Sequence, residues 1–133
     1  MDCIFCKIIK GEIPCYKIYE DEHTLAFLDI AKDVDGHTLV IPKNHCTNIL
    51  DVDNETLNYV MNTVKLISNH YVEKCGFDGV NVLNNNGTSA EQAVPHLHFH
   101  IIPRLENDNI YVYPKFEGAK YSLEDTLNKL KIN

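Results

Sequence analysis

Three histidines at alternate positions, His96, His98 and His100, are the residues of this sequence most able to do chemistry. If the segment is a strand, alternate side chains share a face, so the three imidazoles line up while Leu97, Phe99 and Ile101 turn into a core. A neutral imidazole near pH 7 is a competent nucleophile toward phosphorus, and neighbouring imidazolium groups can balance charge on phosphoryl oxygens. A second reading makes all three the ligands of one metal. Along a strand rising about 3.4 Å per residue, His96 and His100 lie roughly 13–14 Å apart, so that reading needs a bent strand. The third reading, solvated or hydrogen-bonded histidines, runs against the rarity of unpaired polar groups in protein interiors.

A second cluster opens the chain. Cys3-x-x-Cys6 has the spacing of a first ligand pair for tetrahedral zinc. Alone it is a half-site that also fits a redox dithiol, although the βα context of a thioredoxin motif is missing, or a pair of free thiols. The five cysteines make an odd, scattered count, which favours thiols and metal ligands over a disulfide framework. Cys15 and Cys75 read as small buried side chains, and His23 and His70 as solvated.

The elements that must position these groups can be drawn from pattern alone. Residues 16–20, 24–30 and 37–42 read as strands, the last opened by Gly36 and stopped by Pro42. A helix runs from an N-cap at Asp53 to Gly76, with Leu57, Val60, Met61, Val64 and Ile67 on its buried face. Residues 79–83 form a short β-branched strand, and residues 97–102 a strand closed by Pro103. A last helix begins after Ser122, with Asp125 completing a capping-box-like start. Strands on short turns with one long helix inserted midway give an α+β fold, an antiparallel sheet covered by one long helix plus short helices. The whole of 1–133 is expected to be a single domain.

Composition excludes several classes. The hydrophobic share of 44% and charged share of 23% are those of an ordinary globular chain, and no apolar run approaches the roughly 20 residues of a membrane span. A formal charge of −7 argues against nucleic acid as a partner, since an acidic surface repels a polyphosphate backbone. A single small phosphate is still within reach of local N–H groups and imidazoles. The N-terminus lacks the pattern of a secretory signal, so a cytoplasmic address is expected.

Beyond single residues, four blocks in order carry a resemblance. They are Cys3-Ile4-Phe5-Cys6-Lys7-Ile8-Ile9, Ala26-Phe27-Leu28-Asp29-Ile30, the run Gly36 to His45, and Asn85-Asn86-Gly87 followed by Gln92 to His100. Together they span residue 3 to about Arg104 and resemble the histidine-triad (HIT) family, closest to its Hint-like branch and bacterial-type relatives. Residues 105–133 resemble nothing identified. The resemblance implies that His98 is the nucleophile, attacking an α-phosphorus through Nε2 to give a covalent nucleotidyl-histidine that water hydrolyses. It implies that His100 hydrogen-bonds a phosphate oxygen or the bridging atom, and that His37 orients or polarises the nucleophile. The alternative for His37 is a structural hydrogen bond at the start of its strand. Gln92 and Asn85 match phosphate-contacting positions, with Asn85 open to a one-residue slip within its run of three Asn. Asp29 matches a ribose-binding carboxylate, and Phe27 and Ile30 flank the base unless they are plain core.

The same resemblance completes the cysteine half-site with His45 and His96, a closed structural zinc site, with Cys46 as a competing ligand. It also implies a purine nucleotide substrate, AMP or GMP derivatives, and a homodimer to which the long helix contributes. Two departures stand out. Ala93 replaces a Ser whose hydroxyl can assist protonation of a departing amine, and Pro95 replaces an aromatic residue. His100 is not the Gln of the nucleotidyl-transferase branch, which favours hydrolysis over transfer. The expected function is hydrolysis of purine nucleoside phosphoramidates or related nucleotides. The alternatives are a low-turnover nucleotide-binding regulator and a metalloenzyme using the triad as ligands.

Overall fold

The computed structural model describes residues 2–133. Five strands build one antiparallel sheet: β1 Lys17–Glu20, β2 Thr24–Leu28, β3 Thr38–Pro42, β4 Gly79–Leu83 and β5 Phe99–Arg104, in the order β1-β2-β3-β5-β4. Helix α1 (Ile4–Ile9) precedes the sheet, α2 (Asn54–Glu73) connects β3 to the edge strand β4, and α3 (Leu123–Leu130) ends the chain. A short 3₁₀ turn, Thr88–Ala90, lies between β4 and β5. The α+β sheet-and-helix architecture is the one the sequence implies.

Both faces of the sheet are covered, which is why β2 and β3 are buried along nearly their whole length rather than alternately. Ala26, Val40, Phe99 and Ile101 face α2 and pack with its Val60, Val64, Ile67 and Tyr71. Leu25, Phe27, Leu39 and Ile41 face the other way and pack with Cys3 and Phe5 at the N-terminus. Polar pins fix α2 on the sheet: Thr24 Oγ1 meets Thr63 Oγ1 at 2.8 Å, and Thr38 Oγ1 meets the Tyr71 hydroxyl at 2.6 Å. Asp53 caps α2 by accepting from the Thr56 N–H at 2.7 Å, and Ser122 caps α3 by accepting from the Asp125 N–H at 3.1 Å.

Several expectations change in detail. Helix α1 has only six residues, too short for periodicity to reveal it; the Cys3 thiol accepts from the Cys6 N–H at its start. Strand β5 begins at Phe99 rather than residue 97 and runs through Pro103 to Arg104. Pro103 is tolerated because β3 pairs only as far as Ile101, so no neighbour on that side needs its missing N–H. On α2, Met61 is exposed while Tyr71, a turn past the counted positions, is buried. Cys75, past the end of α2, is exposed, and Cys15 is only half-buried at the margin of the cluster around Phe5 and Phe27. His23 is half-buried and stacks on Tyr59 with ring centroids 3.6 Å apart.

Gly36 has φ +84, and a Cβ there would stand 2.8 Å from Pro103 Cγ. Gly36→Ala is therefore expected to destabilise the fold by about 2 kcal/mol, from left-handed backbone strain plus overpacking, read as a lower urea midpoint. A midpoint unchanged within error would contradict this account of the β3 entry. Among the described residues, no helix is long and apolar enough to cross a membrane.

Candidate active site and metal centre

The three histidines have three different sets of partners. His96 stands in a bend ahead of β5, fully buried, and donates from Nε2 to the Pro42 carbonyl at 2.9 Å. That bond leaves its Nδ1 lone pair facing Cys3 Sγ at 3.3 Å and Cys6 Sγ at 3.6 Å. His98 donates from Nδ1 to the His96 carbonyl at 2.7 Å, which makes its Nε2 the unprotonated nitrogen. His100 bonds through Nδ1 to His37 Nε2 at 2.8 Å, and His37 Nδ1 donates to Asp33 Oδ1 at 2.8 Å. Single-metal coordination by the whole triad is thus not the arrangement found. No cluster of facing donor atoms among the described residues holds all three.

The nucleophile reading gains a geometry. The His98 and His100 rings are 5.0 Å apart, and the Phe5 ring stands edge-on to His98 at 5.2 Å. Burial pushes the His98 pKa down, and burial with the neighbouring His98 and His37 pushes His100 down to about 4. Both imidazoles are therefore neutral in the free protein near pH 7. Asn84, in the loop after β4, donates to the His98 carbonyl at 3.0 Å and so extends the β4–β5 ladder by one side-chain bond.

A histidine whose pKa falls on folding binds fewer protons than the unfolded chain between its folded value and about 6.5. Stability consequently rises with pH across that window. Thermal melts should show the melting temperature climbing from pH 4 to about 6.5 and then levelling. His100→Gln should flatten part of that slope, and an unchanged slope in the variant would contradict the burial of a neutral His100.

His37 bonds His100 on one side and Asp33 on the other, forming an Asp33–His37–His100 line beside His98. Asp33, absent from the sequence reading, was legible only as the residue four before His37. Asp29 accepts from the Ala31 N–H at 2.9 Å, and its other oxygen lies 3.8 Å from His37 Nε2.

Asp29, Phe27, Ile30, Ala93 and His98 line one pocket of about 260 Å³ together with Phe5 of α1. Phe27 is both core and pocket wall, at 4% exposure, whereas Ile30 at 77% is no core residue. Of the three Asn, Asn84 bonds the His98 carbonyl and Asn86 accepts from the Ile49 N–H. Asn85 makes no hydrogen bond with the described residues through its amide and lines a pocket with His37 and His100. Gln92 is fully hydrogen-bonded within the protein. Its oxygen accepts from Asn48 Nδ2 and the Gly87 N–H, and its nitrogen donates to the Thr47 and Val94 carbonyls. Those four bonds engage the whole amide and tie three loops together beside the triad segment.

The half-site at the N-terminus is completed as the resemblance implies. Cys3, Cys6, His45 and His96 present four donor atoms all within 4.8 Å of one another, with Cys6 Sγ 3.4 Å from His45 Nδ1 and the two Nδ1 atoms 3.1 Å apart. Edges of this length suit a tetrahedron with zinc–sulfur bonds of about 2.3 Å and zinc–nitrogen bonds of about 2.0–2.1 Å. Burial and the Cys3 thiol raise the Cys6 pKa, as expected for thiols gathered without a compensating cation. The residues fit a structural metal. Cys46 is outside the cluster: it packs against the α2-side core, where burial together with Asp51 and Asp53 pushes its thiol up to about 11.

A sheet carrying one histidine of an alternating triad in a cysteine cluster, the second on the first one's carbonyl and the third on a relay to Asp33 defines a histidine-triad architecture. The HIT-domain family model matches residues 10–107, and the chain belongs to the HIT family. It is 49% identical over 131 residues to an uncharacterized HIT-like protein of Methanocaldococcus jannaschii, covering 97% of this chain and 98% of that one. It is 47% identical over 104 residues to the Schizosaccharomyces pombe protein named adenosine 5'-monophosphoramidase hnt1, covering 78% of this chain and 75% of that one. Among solved structures, a Zn-bound histidine triad family protein from Mycobacterium smegmatis superposes with a TM-score of 0.80 at 38% identity, over 86% of this chain and 84% of that one.

Proposed function

We propose that this chain is a nucleotide hydrolase, cleaving at the α-phosphate of purine nucleoside phosphoramidates or related nucleotides through a covalent nucleotidyl-histidine on His98. The observation that carries the reading is the 2.7 Å bond from His98 Nδ1–H to the His96 carbonyl, because it leaves Nε2 unprotonated beside a nucleoside-sized pocket. The S. pombe relative's name supports the substrate class. In this scheme the base lies between Phe27 and Ile30, Asp29 accepts from the ribose hydroxyls, and Asn85 contacts the phosphate.

As the His98 Nε2–P bond forms, the P–N bond breaks, and protonated His100 gives its Nε2 proton to the departing nitrogen. Ala93 offers no hydroxyl for that task, so the burden falls on His100. Water then attacks phosphorus and its proton passes to His100 Nε2. The His98 Nε2–P bond breaks, nucleoside monophosphate leaves, and both imidazoles are restored. Burial keeps His100 neutral in the free protein, so the phosphate anion of the bound substrate is what lets it hold a proton; Asp33 stabilises that cation through His37.

The proposal includes zinc on Cys3, Cys6, His45 and His96, tying α1 to the residue whose carbonyl orients His98; the Zn-bound M. smegmatis neighbour supports it. It also includes a cytoplasmic homodimer formed partly by α2, where Met61, Leu66 and Val72 are exposed.

Adenosine 5'-monophosphoramidate incubated with the protein should yield AMP by chromatography, and His98→Ala should yield none. If wild type binds AMP but releases none from the substrate, the hydrolase reading fails and the low-turnover regulator, to which Ala93 points, takes its place.

A further inference from the structure

The site has a second pocket, and its walls point to the kind of group that leaves. A cavity of about 270 Å³ lies across His100 from the nucleoside pocket, and among the residues lining the two pockets only His100 is shared. The nucleoside pocket includes His98; the second includes His37 and Asn85 but not His98. In-line displacement puts the departing group opposite the attacking nitrogen, so a group leaving phosphorus beside His100 and away from His98 enters the second pocket.

That pocket is built rather than incidental. Its floor is the part of the sheet that α1 does not cover: Leu83 pairs with His100 across β4 and β5 and shares its face, with Ile102 two residues on. Its roof is the segment Ile110 to Val112 of the tail. A latch holds this roof in place. Arg104 donates to Asn81 Oδ1, to both Asp108 oxygens and to the Ile110 carbonyl, while Asp108 accepts from the Leu105 and Ile110 N–H groups. The Arg104 guanidinium holds the Asp108 carboxyl well below the usual carboxylate range, so the latch is ionised at every pH of interest.

Leu83, Ile102, Ile110 and Val112 make the walls apolar, and the one fixed charge among the lining residues is the Asp33 carboxylate. Arg104, the sequence's one arginine, has four of its five N–H donors engaged in the latch. We propose that this second pocket selects the leaving group and takes a neutral, apolar, amine-linked organic group of arylalkyl size, rejecting phosphate-bearing ones. The proposal rests on the phosphoramidase reading and adds to it what occupies the other side of the scissile bond. The step is the one given above: the P–N bond breaks and the amine departs with the His100 proton.

Two adenosine phosphoramidates test it, one carrying ethylamine and one 2-phenylethylamine, whose P–N bonds are chemically alike and whose apolar bulk differs. Their ratio of kcat/KM should favour the phenylethyl compound by about tenfold or more in wild type, as expected for burying a phenyl group. Leu83→Asp on the floor and Val112→Asp on the roof should each bring that ratio close to one. The ratio is internal to each variant, so partial loss of folded protein cancels. Binding of both compounds to His98→Ala, which cannot form the adduct, should show the same preference. A ratio near one in wild type, or one that survives both substitutions, overturns the pocket assignment. Preferential binding without AMP release by wild type would leave the pocket standing and remove the hydrolase reading instead. ADP turned over as fast as the phenylethyl compound would also overturn the proposal.

Discussion

His98→Ala is expected to lower kcat on adenosine 5'-monophosphoramidate by about 10⁴-fold or more while leaving the affinity for AMP within a few-fold. The size follows from the role: without Nε2 there is no covalent route, and direct attack by water is left with only the positioning that the pocket supplies. Affinity survives because the groups proposed to hold the nucleoside, Phe27, Asp29 and Ile30, belong to β2 and its exit and not to the catalytic segment. His100→Gln gives the informative contrast. It should reduce the rate on substrates with poor leaving groups far more than on those whose leaving group departs unassisted. A His98→Ala protein retaining a tenth of the wild-type rate would contradict nucleophilic catalysis outright.

The second large effect is expected at the metal centre. Cys6→Ser should reduce zinc from one equivalent per chain to a small fraction. It should also lower the melting temperature by about 10 °C, since a lost ligand in a structural site costs on the order of 3 kcal/mol. The consequence should reach catalysis. His96 is held from one side by Pro42 and from the other by the cysteine cluster, and its carbonyl fixes the His98 tautomer. The expected signature is a fall in kcat with KM little changed, and full activity in a zinc-free, folded Cys6→Ser protein would separate the two centres. Exhaustive chelation of wild type should produce the same pair of changes.

Much of this was legible in residue patterns. The alternation of His96, His98 and His100 against Leu97, Phe99 and Ile101 correctly divided that segment between a chemical face and a core, because side-chain direction in extended backbone is a local property. The long helix and its Asp53 cap were equally local. What escaped were features set by contacts between distant segments. Helix α1 is shaped by the cysteine cluster and by Phe5 on the far sheet face, not by its own periodicity. Asp33 acquires meaning only when β3 and β5 bring His37 against His100. The Gln92 amide bonds Asn48 and Thr47, 44 and 45 residues earlier, contacts that no local pattern shows. The role of residues 110–112 could not be read at all, since it depends on where the Arg104–Asp108 latch lays the tail.

The most direct test of the central claim is intact-mass spectrometry on a rapid-quench timescale after mixing the protein with an adenosine phosphoramidate. The account predicts a transient adduct of one AMP that decays as free AMP accumulates and that maps to His98. AMP released with no adduct at any time point, under conditions where a slow second step would make it accumulate, would contradict the covalent route and return the triad to a purely electrostatic role.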